Sequence, residues 1–220
     1  FLNKLISTSK NLSHPDGELA FFNDTNYDSL NYKQLELLLK KNFKIIKKPK
    51  YENNSSYPFL KKKNIFIITK CCGPEPRFNP GHSHADSLSF EVSINNKRFL
   101  INKGISTYEK NDLRFLQRST ESHNTVKIND KNSSAVWSSF RVGKKSQVFN
   151  RKINKKNYLI SASHNGFSNF IKTITHNRTW KLKDDYLVIN DEISGKFKNF
   201  KIYFHFSPNV NIFKKNNLVK

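Results

Sequence analysis

The sequence predicts a mainly β chain, an antiparallel β-sandwich preceded by a short α-helical segment. Three observations predict it. The hydrophobic period changes along the chain, from helical spacing before about residue 45 to strict alternation beyond about residue 56. Short strand-like runs then follow one another between turn residues, which favours an antiparallel sandwich over a parallel sheet. Aromatic side chains make up 13% of the 220 residues, 19 of them Phe, whereas disordered chains are poor in aromatics.

Residues 1–45 read as helical. Leu2, Leu5 and Ile6 share one helical face, and residues 30–41 (LNYKQLELLLKK) place Leu35, Leu37, Leu38 and Leu39 in a helix-forming composition. Between them, His14-Pro15-Asp16-Gly17 is a turn signal. Residues 47–56 (KKPKYENNSS) are polar, hold a proline and read as a linker. Residues 87–94 (SLSFEVSI) alternate without a fault. That pattern predicts a half-buried strand with Leu88, Phe90, Val92 and Ile94 in the core and Ser87, Ser89, Glu91 and Ser93 outside. Asn95-Asn96 makes a hairpin turn into residues 98–102. Further strand-like runs are residues 64–70, 124–128, 158–163, 186–190, 201–206 and 210–213, with turns at Asn129-Asp130, Asn165-Gly166 and Ser194-Gly195.

The charge is lopsided, with 39 Lys+Arg against 17 Asp+Glu and a formal net charge of +22. A polyanion fits, either nucleic acid or an acidic polysaccharide. A composition rich in Lys and Asn is also what an AT-rich genome encodes. No RNP-type or helix-turn-helix pattern accompanies the charge, so specific nucleic-acid recognition is not expected. No apolar run approaches the roughly 18 residues of a membrane span. Adjacent Cys71 and Cys72 suit neither a structural staple nor a zinc ribbon. The chain begins with Phe and contains no Met, as expected of a processed product or a piece of a longer protein, and residues 1–12 carry no secretory pattern.

Chemistry concentrates in residues 78–90 (FNPGHSHADSLSF). If the chain is extended there, His82, His84 and Asp86 point the same way, about 6.5–7 Å apart. Imidazole offers a base near neutral pH and a metal ligand. A second element is residues 118–126 (RSTESHNTV), with Arg118 and His123. A Gly-rich phosphate loop and a G-x-S-x-G elbow are both missing from the sequence.

These strings together carry a resemblance. PGHSHADSLSFEVSINNKRFLIN, RSTESHNTVKIND and WSSFRVGKK, in that order, resemble the heparinase II/III-like family of polysaccharide lyases. HNRTWKLKDDYLVINDEISG and FHFSPNV are similar to its later sandwich strands, and HPDGELAFFNDT to the end of its helical toroid. The resemblance implies an incomplete (α/α) toroid followed by a large, supersandwich-like β-sandwich, with the active site between them. Residues 1–50 would be the end of the toroid, and residues 51–220 a sandwich cut short at its C-terminus.

It further implies a lyase that cleaves a uronic-acid-containing polysaccharide by β-elimination, or else an impaired member that only binds such a polymer. Carried over residue by residue, His82 matches the catalytic histidine. His84, Asn102 and His123 match the ligands of one divalent metal, zinc or calcium. Asn102 stands where the family has Asp, in Ile101-Asn102-Lys103-Gly104; its carbonyl oxygen can ligate but brings no charge. Asp86 would replace that ligand or orient one. Arg77 and Arg118, with the basic surface, would hold the anionic chain. The toroid Asn and Tyr that neutralise the substrate carboxylate and handle the proton have no counterpart in this sequence. The family's usual location is periplasmic or secreted.

Overall fold

A computed structural model describes residues 2–43, 56–169, 171–215 and 218–219. Two helices come first, α1 (Leu2–Asn11) and α2 (Tyr32–Asn42). Asn31 caps α2 by a reciprocal capping box with Gln34. The leucines of α2 are mostly left in water, for only Leu39 is buried. The expected helical stretch is interrupted by irregular chain between α1 and α2, which begins at the His14–Gly17 turn, where the Gly17 N–H donates to the His14 carbonyl at 2.9 Å. The expected linker, apart from Ser56, and the expected domain boundary near residue 50 lie outside the described residues.

The strands follow as β1 (Phe59–Lys62), β2 (Ile65–Thr69), β3 (Phe90–Ile94), β4 (Lys97–Leu100), β5 (Val126–Ile128), β6 (Val136–Trp137), β7 (Arg141–Val142), β8 (Val148–Asn154), β9 (Leu159–His164), β10 (Thr175–Leu182), β11 (Leu187–Ser194) and β12 (Phe200–Ile202). A short helix, α3 (Asp112–Arg118), lies between β4 and β5. Two four-stranded antiparallel sheets result, ordered β1-β2-β3-β4 and β11-β10-β9-β8. Their shared core holds Ile67, Leu88, Phe90 and Val92 from one side and Ile160, Trp180 and Leu182 from the other. Of the expected C-terminal runs, 201–206 shortens to β12, which pairs with β5, and 210–213 is irregular.

One expectation needs correction. β3 is buried on both faces, with Glu91 fully covered and Ser93 nearly so. The N-terminal segment lies over the first sheet. Ala20 and Phe22 cover Phe66 and Ile68, while His14 bonds Glu91 Oε2 at 2.9 Å and Ser93 Oγ at 2.7 Å. Ordered side-chain partners replace water at Glu91 and Ser93, while Ser89 Oγ on the same expected face is buried without a hydrogen-bond partner. The strand also starts later than the alternation suggests. Leu88 sits at φ +59, a left-handed conformation that breaks the ladder while its side chain stays wholly buried. Such a residue costs on the order of 1–3 kcal/mol and persists where its surroundings over-determine it. Here the Leu88 carbonyl accepts from Arg178 Nη1 at 3.1 Å. At the other end, Asn95 and Asn96 take φ +53 and +61, the expected mirror-image hairpin turn into β4.

Candidate active site

The loop from β2 to β3 carries the His-x-His-x-Asp motif. Pro80-Gly81 forms a turn closed by the Ser83 N–H on the Pro80 carbonyl at 2.8 Å. The chain is not extended across the motif, so its side chains do not share a face. His82 is thrown outward with its side chain 70% exposed, while His84 is fully buried. They meet again on a residue that sequence reasoning missed, Asp24, in the irregular chain between α1 and α2. Asp24 Oδ2 accepts from His82 Nδ1 at 2.8 Å, and Asp24 Oδ1 accepts from His84 Nε2 at 2.8 Å. The Arg114 guanidinium clamps both oxygens, at 2.5 and 2.8 Å.

Arg114 comes from α3. The helix is capped by Asn111, whose side-chain oxygen accepts from the Arg114 N–H at 2.8 Å. Arg114 and Arg118 are four residues apart, hence on one helical face, and both are fully buried. Burial alone would push Asp24 up, but its bonds from His84 and Arg114 outweigh that and hold its carboxyl well below the usual carboxylate range. Asp24 is therefore an ionised acceptor, and His82 Nδ1 must be the donor to it. In the neutral ring the other nitrogen of His82, Nε2, keeps its lone pair.

The ionised Asp24 also fixes the tautomers of the two buried histidines. His84 gives its Nε2 proton to Asp24, so its Nδ1 accepts from His123 Nε2, 3.3 Å away. His123 Nδ1 is then a buried lone pair with no hydrogen-bond partner. Burial pushes His84 down in spite of Asp24, and pushes His123 down to about 3 in spite of Asp86. Asp86 turns to the buried ammonium of Lys70, Oδ1 to Nζ 2.6 Å, and its Oδ2 has no partner. Burial raises the Asp86 carboxyl, but the Lys70 charge wins and lowers it.

Asn102 belongs to a neighbouring network. Its Nδ2 donates to Glu91 Oε1 at 3.2 Å, its backbone N–H donates to the same oxygen at 3.1 Å, and its Oδ1 accepts from the Asn124 N–H at 3.1 Å. An aspartate here would set a second carboxylate against Glu91, which accounts for the amide. The fit to a divalent ion is poor. His84 and His123 offer two imidazole nitrogens, while both polar atoms of Asn102 are committed elsewhere. Among the described residues no three His, Cys, Asp or Glu side chains are gathered as a metal would need.

The rim is aromatic. His82 stands edge-on to Tyr108 and Phe140, at centroid distances of 6.1 and 5.5 Å. Burial, and then the Asp24 charge, push the Tyr108 phenol up. A cleft of about 310 Å³ opens between this rim and the N-terminal segment, lined by Asn23, Asp24, Thr25, Tyr57, His82 and Tyr108.

The two expected substrate-binding arginines lie elsewhere. Arg118 is wholly buried and spends its guanidinium on main-chain carbonyls, with Ser83 and Ser138 at 3.0 Å and Arg141 at 3.3 Å. It pins loops together and has no surface to offer a ligand. Burial and the Arg114 charge lower its pKa to about 10. Arg77 is exposed on the loop, outside the His82 cleft, where its carbonyl accepts from Lys145 Nζ at 2.8 Å. Arg114 had a sequence signal, an Asn-Asp cap ahead of two arginines four apart. Asp24 had none beyond its place in AFFNDT.

Residues 47–219 match the heparinase II/III-like C-terminal family. The fold is similar to that of a crystal structure of heparinase III, with TM-score 0.64 and 15% identity over 98% of this chain and 38% of that one. A heparinase III with methylated lysines gives TM-score 0.67 and 21% identity over 96% and 34%. A heparan sulfate lyase from Pedobacter heparinus gives 0.63 and 16% over 92% and 34%. The chain thus spans between 34% and 38% of these structures' length. No curated protein matches it in sequence. Matched over most of its length, the chain belongs to the heparinase II/III-like family, through that family's C-terminal domain.

Proposed function

We propose that this chain is the sandwich portion of a polysaccharide lyase that cleaves a uronic-acid-containing polysaccharide by β-elimination, with His82 as the proton-transfer group. One observation carries the proposal. An exposed imidazole lines a cleft, with one nitrogen anchored to a buried, arginine-clamped carboxylate and the other free toward solvent. That is the arrangement a general base needs, since the anchor sets the tautomer and aims the lone pair.

The C–H bond alpha to the uronate carboxylate breaks, and its proton goes to His82 Nε2. The electron pair forms a C=C bond, the glycosidic C–O bond breaks, and the departing oxygen takes a proton. Tyr108, at the same rim, is placed to give or relay that proton. Offsetting the substrate carboxylate falls to groups outside this chain, in a helical toroid of which residues 1–50 would be the end. The relatives named heparinase III and heparan sulfate lyase support the substrate class, and a net charge of +22 suits it. A periplasmic or secreted location goes with the same proposal. No helix among the described residues is long and apolar enough to cross a membrane.

A second reading is favoured by Asn102, whose amide serves Glu91. It makes the chain an impaired member that binds the polymer without cutting it. One experiment decides. Full-length protein is incubated with a panel of acidic polysaccharides, and the ultraviolet absorbance of the unsaturated product is followed. The lyase produces absorbance that His82→Gln lowers by about 10²–10⁴-fold. Binding without absorbance from any uronate polymer overturns the lyase and leaves the second reading.

A further inference from the structure

The WSSFRVGKK string spans residues 137–145. Its residues form a small hairpin, β6 and β7, turned through Ser138 at φ +52. Strands of two residues cannot hold such an arm by themselves. Two buried arginines do. Arg114 Nε donates to the Ser139 carbonyl at 3.1 Å, and Arg118 Nη1 to the Ser138 carbonyl at 3.0 Å. Arg118 Nη2 reaches the Arg141 carbonyl at 3.3 Å. These bonds grip main chain only.

What the arm carries is Phe140. Its ring lies near-parallel to Tyr108, 5.5 Å between centroids and 21° between planes. The Arg114 guanidinium backs both rings, 5.1 Å from Tyr108 and 5.4 Å from Phe140. Yet Phe140 is 44% exposed and Tyr108 48% exposed. Two large rings are rigidly supported, left half in water and set against the one exposed imidazole of the site. Their burial does not explain such support, because much of their apolar surface stays wet.

We propose that Phe140, stacked on Tyr108 and held by the arginine-pinned hairpin, is a ring-stacking subsite that takes a pyranose of the polysaccharide beside His82. A pyranose turns one face of C–H groups outward, and a flat, electron-rich ring is their complement. The subsite recognises the sugar ring and not its charge. It therefore sets where along the chain the bond to be broken meets His82. This inference rests on the carbohydrate reading of the site given above.

The test compares Phe140→Ala, Phe140→Leu and Phe140→Tyr in the full-length protein. Unfolding midpoints are recorded, with KM and kcat for elimination, and with polysaccharide affinity in a His82→Gln background. Stacking predicts that Ala and Leu both raise KM and weaken binding by about tenfold, that Tyr restores both, and that kcat and the midpoint move much less. Leu is the decisive arm, since it keeps apolar bulk but has no flat face. If Leu binds as tightly as wild type, the ring only packs and the subsite is overturned while the lyase stands. If neutral polysaccharides bind in its place and Ala abolishes that binding, the subsite stands and the acidic substrate class falls. If the wild-type protein binds no polysaccharide, both fall.

Discussion

Among the described residues, two buried histidine pairs are built from nearly the same parts, and one of them adjoins the His82 cleft. In the first, His84 and His123 lie 3.3 Å apart and feed Asp24, which Arg114 clamps. In the second, His164 Nε2 donates to His176 Nδ1 at 3.1 Å, His176 Nε2 donates to Asp191 Oδ1 at 2.7 Å, and Arg178 clamps Asp191 at 2.6 and 2.9 Å. The second chain is closed. The Gly166 N–H fills His164 Nδ1 at 3.1 Å, so every ring nitrogen has a partner. Arg178 also ties the Leu88 and Asn124 carbonyls to the second sheet. The first chain is open at both ends, with His82 in solvent at one and the unpartnered His123 Nδ1 at the other. A histidine–carboxylate–arginine set is therefore not a signature of chemistry. An exposed imidazole at a cleft is what the proposed site has and the internal brace lacks.

That contrast can be tested by moving the same change from one cluster to the other. The largest effect belongs to His82. His82→Gln should cost about 10²–10⁴-fold in elimination rate with little change in the unfolding midpoint, because an exposed side chain leaves no cavity. His176→Gln should do the reverse. Equal rate losses from the two would erase the distinction between site and brace.

Next in size is the brace itself. Asp191→Ala strands the buried Arg178 beside His176, and removing one partner of such a pair costs roughly 3–5 kcal/mol. Denaturant unfolding measures it, and a loss under about 1 kcal/mol would mean that Asp191 is not what holds the sheets together.

The third effect is pH dependence. Burial drives His164 well below its usual range and lowers His176 in spite of Asp191. Both are neutral when folded and titrate near 6.5 when unfolded. Their contribution is thus complete above about pH 6.5 and is lost as pH falls toward the folded values, by up to about 1.4 kcal/mol per pH unit for each. His164→Gln with His176→Gln should flatten the fall of the unfolding midpoint between neutral and acid pH. A variant with an unchanged slope would show that the proton uptake lies elsewhere.

The smallest effect is at Asn102. Asn102→Asp replaces a donor to Glu91 by a second carboxylate, and should lower stability by roughly 1–3 kcal/mol. Equal stability, or tight zinc binding by the native protein in a metal titration, would contradict the view that Asn102 serves Glu91.

Some of this was written locally. Strict alternation marked β3, Asn95-Asn96 marked its hairpin, and a run of leucines in a helix-forming composition marked α2, because strand period, turn chemistry and helix composition act over a few residues. The motif around His82 and His84 and the block around His123 were legible in the same way, as strings that resemble a family. β8 escaped because Asn, Arg and Lys interrupt its apolar positions, and β10, broken up in the same way, was marked only by the resemblance. What only tertiary structure decided is which polar groups are dry and which meet. Arg118 read as a surface cation, and became an internal pin once two loops closed over it. The serine and glutamate face of β3 read as solvent-facing, and was buried when the segment bearing His14 folded across it. Asp24 lies 58 residues from His82 and 60 from His84. No local period links them, since a carboxylate finds its imidazoles by chain closure and not by spacing.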